Sequence, residues 1–97
     1  MNLSNFAEAT RVLNDDGFDL SDLYVISEYQ RAKAKGDVTI MTLTKNTVLS
    51  KTVMLRRIKK LVEQGVFKRA ERDSDLRLRV LVDGPRMGPI VEYFKEI

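Results

Sequence analysis

The sequence predicts an α+β fold, mainly helical, with a small sheet of two or three short strands. Three observations lead there. Apolar residues recur at helical spacing over most of the chain, most regularly as Met54, Ile58, Leu61 and Val62. After a polar turn at residues 72–75 the period drops to two, with Leu78, Val80 and Val82 alternating with Arg77, Arg79 and Leu81. The length of 97 residues, 43% of them hydrophobic, suits one small core. The chain is therefore read as a single domain over residues 1–97. An N-terminal helix occupies residues 1–19, a central unit 20–83 and a C-terminal helix 84–97.

Each element has a local signal. Leu3, Phe6, Thr10 and Leu13 form the apolar stripe of the first helix, with Asn5 and Glu8 spaced as a capping box. Asn14-Asp15-Asp16-Gly17 ends it. Ser21 is the expected N-cap of a second helix reaching about residue 35, with Leu23, Tyr24, Val25, Ile26 and Tyr29 on a broad apolar face. Gly36 stops that helix. Residues 37–39 read as a small strand. Residues 40–46 read as a short helix with Ile40, Leu43 and Thr44 inward, although Thr39, Thr42, Thr44 and Thr47 lower its propensity. Residues 47–49 form a turn, and Ser50 caps the strongest helix, residues 50–64, which Gly65 closes. On that helix Thr52, Val53, Arg56, Lys60 and Glu63 are expected opposite the apolar stripe. Residues 66–71 and 76–83 make a hairpin with one buried face. A last short helix at residues 89–96 presents Ile90, Tyr93 and Phe94, followed by Ile97.

Composition narrows the chemistry. There is no Cys and no His, which excludes disulfides, thiolate catalysis, Cys-ligated zinc and imidazole as a general base or ligand. The carboxylates Asp15, Asp16, Asp19 and Asp22 lack calcium-loop spacing and read as caps and turns. No catalytic site, cofactor or metal is expected, so the chain reads as a non-enzyme. Its apolar runs are too short to span a membrane, and no signal peptide is visible, so a cytoplasmic location is expected. The net charge of +3 comes from 17 basic and 14 acidic residues, but it is unevenly placed. Residues 45–82 hold 11 basic and 4 acidic side chains, while the flanking segments are mildly acidic. A localised positive segment points to an anionic partner.

Short helix, tight turn, basic amphipathic helix and hairpin, in that order, make a winged helix-turn-helix. A helix about 10–12 Å across fits the major groove of B-DNA, and the hairpin, the wing, reaches the adjacent backbone or minor groove. The segment SKTVMLRRIKKLVEQGVFKRAERDSDLR, residues 50–77, carries Ser50, Arg56, Leu61, the run Gly65-Val66-Phe67-Lys68-Arg69 and Asp75-Leu76-Arg77 in order. In this the chain resembles the MarR-type winged-helix regulators and the related SarA-type proteins, from about Leu20 to Val82. The resemblance implies a DNA-binding role for matched positions. Ser50 and Thr52 would sit at the start of the recognition helix, Arg56 would be its arginine, and Arg77 would be the wing arginine oriented by Asp75. A narrow minor groove concentrates negative potential and suits such an arginine. Charge and periodicity add Lys51, Lys60, Arg69, Arg72 and Arg79 as candidate phosphate contacts, which position without reading sequence. The chain departs from the family at Leu55, at Leu76, at Val82-Asp83-Gly84-Pro85 and in its short terminal helices.

Two functions remain open at this point. One is a sequence-specific regulator of transcription on double-stranded DNA, simplest as a repressor by occupancy. It would pair as a homodimer through Leu3, Phe6, Leu13, Tyr93, Phe94 and Ile97. The other is a protein-interaction module that docks its basic face on an acidic protein.

Overall fold

The strongest helix of the sequence is also the helix that organises the molecule. The computed structural model describes residues 3–45, 47–70 and 80–95, with the backbone alone for Asn5, Phe6, Phe94 and Lys95. Its elements are α1 (Leu3–Asp15), α2 (Leu20–Lys33), β1 (Val38–Thr39), α3 (Ile40–Thr44), α4 (Lys51–Glu63), β2 (Phe67–Arg69), β3 (Val80–Asp83) and α5 (Met87–Lys95). Ser50 caps α4 by accepting the Val53 N–H at 3.2 Å. At the other end Gly65, at φ +79°, lets the chain turn left-handed. There the Gly65 N–H reaches the Val62 carbonyl and the Val66 N–H reaches Leu61, which satisfies two terminal carbonyls. Met54, Ile58 and Leu61 of this helix are buried, each contributing roughly 1.5–3 kcal/mol.

The other helices start where local hydrogen bonds decide. α2 is capped by Asp19, not Ser21. The Asp19 carboxylate accepts the Asp22 N–H at 3.0 Å, and Asp22 accepts the Asp19 N–H at 2.9 Å. Two carboxylates three residues apart satisfy two orphan donors, which a serine two positions later does not. α1 already runs from Leu3, so Asn5 lies inside its first turn and the expected Asn5–Glu8 box does not mark its start. α3 is capped by Thr39, whose Oγ1 accepts the Thr42 N–H at 3.1 Å. One of the threonines that lower helix propensity therefore starts the helix. α5 begins at Met87, two residues before Pro89, because a proline in the first turn forfeits an N–H that had no helical partner.

The three strands form one antiparallel sheet in the order β1-β3-β2. Val38 pairs with Leu81, and Phe67, Lys68 and Arg69 pair with Asp83, Val82 and Leu81. In this register Val38, Phe67 and Leu81 face the core and are buried, whereas Val80 and Val82 are half-buried on the other side. The valines on the apolar parity of the alternation thus do not supply the buried face of β3; Leu81 does. Pairing with Val38 of a third strand sets this, and a hairpin considered alone does not include that strand.

Long-range contacts lock the layers together. Tyr29 is fully buried, stacks 4.6 Å from Phe67 and donates its hydroxyl to Asp83 at 2.7 Å. Lys33 donates to the same carboxylate at 2.8 Å. Burial and the hydrogen bond to Asp83 push the Tyr29 phenol well above its usual range. Hydrogen bonds from Lys33 and Tyr29 hold Asp83 below the ordinary carboxylate value, against the opposing effect of burial. The Tyr24 hydroxyl accepts the Val48 N–H at 3.1 Å and so braces the turn before α4. Near the end of the sheet, Gly84 donates to the Val66 carbonyl at 2.9 Å. A Cβ on Gly84 would fall 2.2 Å from the Gly65 carbonyl oxygen, so this close backbone approach requires glycine. Among the described residues no helix is long and apolar enough to cross a membrane.

Candidate nucleic-acid interface

The buried stripe of α4 fixes which of its side chains look outward. With Met54, Ile58 and Leu61 in the core, a rotation of 100° per residue puts Thr52, Arg56, Lys59 and Glu63 on the opposite side. All four are exposed. Leu55, 39% exposed, stands beside Arg56 on the edge of this surface. Lys51 is exposed in the first turn. Lys51, Arg56 and Lys59 have no carboxylate partner among the described residues.

The remaining two cations of α4 have a different environment. Arg57 and Lys60 lie on the flank that faces the start of α2, with side chains 27% and 29% exposed. Arg57 Nη1 sits 2.8 Å from Asp19 Oδ2 and 3.5 Å from Asp22 Oδ1. Lys60 Nζ donates to Asp22 Oδ2. Asp22 itself is fully buried. A buried carboxylate is tolerable only when paired and hydrogen-bonded; here Lys60 and the Asp19 N–H bond Oδ2, and Oδ1 has the Arg57 charge nearby without a hydrogen bond. Burial works against ionisation of Asp19, but the Asp22 N–H and the charges of Arg57 and Lys60 outweigh it. Its carboxyl is accordingly held below the usual range.

Lys60, which the charge pattern proposes as a phosphate contact, is paired within the molecule. Its ammonium neutralises Asp22 inside the molecule. Val53, expected on the outer side, is likewise half-buried on the inner flank. The outward lysine is Lys59, a residue outside the candidate set read from the sequence. Reading the helix from Met54 and Leu61, rather than from the whole charge run, puts Lys59 on the exposed side. Arg57 and Asp22 were also missed as a structural pair, because their partnership spans α2 and α4 and has no local spacing.

Of the other candidates, Ser50 is exposed and uses its hydroxyl as the α4 cap, and Thr52 is exposed one turn from Arg56. Arg69 and its neighbour Lys68 are exposed at the end of β2. Arg72, Asp75, Arg77 and Arg79 lie outside the described residues. Leu13 is buried, so it is not available for a subunit contact, while Leu3 is 85% exposed and Tyr93 half-buried. The Phe6 and Phe94 side chains and Ile97 lie outside the described part.

A short helix, a turn, a helix with an outward basic surface and a three-stranded wing sheet define the winged helix-turn-helix class. Comparison with solved structures bears this out. The chain matches a transcriptional regulator from Thermotoga maritima with a TM-score of 0.72 at 19% identity, covering 97% of this chain and 64% of that one. It matches a MarR family transcriptional regulator from Silicibacter pomeroyi with a TM-score of 0.59 at 22% identity, covering 92% of this chain and 62% of that one. The winged-helix fold implied by the resemblance to MarR-type proteins is the fold of this chain. The chain spans less than two thirds of the length of either neighbour. No protein-family model and no curated protein matches the sequence.

Proposed function

We propose that this protein is a DNA-binding regulator of transcription that represses by occupying its site. In this reading α4 enters the major groove, and the wing, residues 69–79, contacts the adjacent backbone or minor groove. The observation that carries it is the sorting of charge on α4. Arg57 and Lys60 are neutralised internally, while Arg56, Lys51 and Lys59 are held outward. Ser50, Thr52, Arg69, Arg72, Asp75, Arg77 and Arg79 complete the proposed contact set, with Lys59 in place of Lys60. The folds of the two regulators matched above support the same direction. A homodimer through the terminal helices belongs to the proposal, supported by the exposure of Leu3, and would double the DNA site. A cytoplasmic, non-enzymatic protein without a cofactor fits this role.

The test is a polarisation titration against random duplex DNA at several salt concentrations. About 6–8 phosphate contacts would make affinity fall by orders of magnitude from low to moderate salt. Absence of duplex binding at low salt overturns the proposal and favours an acidic protein as the partner of the basic face.

A further inference from the structure

The outward surface of α4 has a chemistry more specific than positive charge. Thr52, Leu55, Arg56 and Lys59 stand at i, i+3, i+4 and i+7, so they form one continuous exposed ridge. Only two of the four are cationic. Leu55, 39% exposed, stands beside Arg56 at the edge of the ridge, and the exposed Thr52 carries a methyl beside its hydroxyl. Val48, 85% exposed, stands at the N-terminal end of the same helix. No asparagine or glutamine occurs on the ridge, and the carboxylate Glu63 comes one turn beyond Lys59. The side-chain inventory of the major groove then restricts what can be read. A bidentate contact to adenine needs an amide, which the ridge lacks. A guanidinium matches the O6 and N7 acceptors of guanine, and an apolar side chain matches the thymine methyl.

Resting on the DNA-binding reading above, we infer that the ridge reads a guanine through Arg56 and an adjacent thymine methyl through Leu55. Thr52 and Lys59 flank this pair, Thr52 toward a second methyl or a phosphate and Lys59 toward the backbone. Leu55 is then a specificity-determining residue. It is poorly placed as a core residue, because the buried stripe is complete without it.

The experiment starts by selecting bound duplexes from a random pool with the full chain. In the selected half-site each thymine is replaced in turn by deoxyuridine, which removes only the methyl, and each guanine by 7-deazaguanine, which removes N7. One thymine replacement is expected to weaken binding about fourfold, the equivalent of one buried methyl. A neighbouring guanine replacement is expected to weaken it about tenfold or more. Leu55→Ala is expected to bind the thymine and uracil duplexes equally. Leu55→Gln is expected to move the preference at that base pair from thymine to adenine. A bound half-site that is indifferent to every thymine methyl overturns the inference and leaves DNA binding standing. So does a Leu55→Ala protein that still discriminates thymine from uracil. Absence of any bound duplex at low salt overturns the DNA-binding reading and this inference with it.

Discussion

The two flanks of α4 carry the same residue types and have different tasks. On the inner flank Arg57 and Lys60 meet Asp19 and the buried Asp22, and the four groups tie α4 to the start of α2. On the outer ridge Arg56 and Lys59, each one residue earlier in sequence, are exposed and have no carboxylate partner among the described residues. A shift of one residue on a helix is 100° of rotation, enough to turn a structural cation into a free one. Charge counted along the sequence therefore overstates the binding surface, and the difference between the flanks is open to measurement.

The largest effect belongs to the inner flank. Asp22→Ala removes a buried carboxylate, a helix-capping acceptor and the partner of two cations. Its unfolding free energy in urea is expected to drop by about 2–3 kcal/mol, at the low end for a buried pair because both cations retain some access to water. The DNA affinity of the molecules that remain folded should change little. The next effect separates two adjacent arginines. Arg56→Ala should lose about 1–3 kcal/mol of DNA affinity with unfolding unchanged within about 0.5 kcal/mol. Arg57→Ala should show the reverse pattern, lower stability and nearly intact affinity. Equal losses of affinity in both variants would erase the distinction between the flanks.

Of the two flanks of α4, acid should act on the inner one. The folded-state pKa of Asp19 lies below its ordinary value of 3.8, so the native state binds fewer protons than the unfolded chain in that range. Stability from this group is present above the ordinary value and is lost as pH falls through the lower folded one. Urea midpoints across this range should fall less steeply in Asp19→Asn, which keeps an N-cap acceptor and loses the charge. The gain is modest, because Asp19 is 44% exposed and screened by solvent. The smallest contrast lies in salt dependence. Lys59→Ala should reduce the slope of log affinity against log salt by about 1, and Lys60→Ala should leave it unchanged.

Much of the fold is legible because its signals are local. Ser50 and Gly65 bracket α4 in the sequence as they do in the structure, and Val38-Thr39 is a recognisable short strand. Where a second element decides, local reading falls short. Ser21 and Asp19 are both good caps, and the reciprocal bond with Asp22 and the nearby cations of α4 select Asp19. The burial parity of β3 depends on β1, some forty residues away in sequence, because Val38 and Leu81 must share a face. The candidate site divides the same way. Lys51, Thr52, Arg56 and Arg69, read from sequence, are exposed, while Lys60 is paired with Asp22 across to α2, a contact with no local signal.

By itself the sequence determined the class of fold, the order of its elements and the location of a basic segment over the helix-turn-helix and wing. Those properties follow from capping residues, hydrophobic period and charge, all of which act over a few residues. Only the tertiary structure decided which cations of that segment are spent on folding and which remain for a partner. That decision depends on where α2 brings a buried carboxylate, because an ion held in a low-dielectric interior binds the nearest cation far more strongly than an exposed one does.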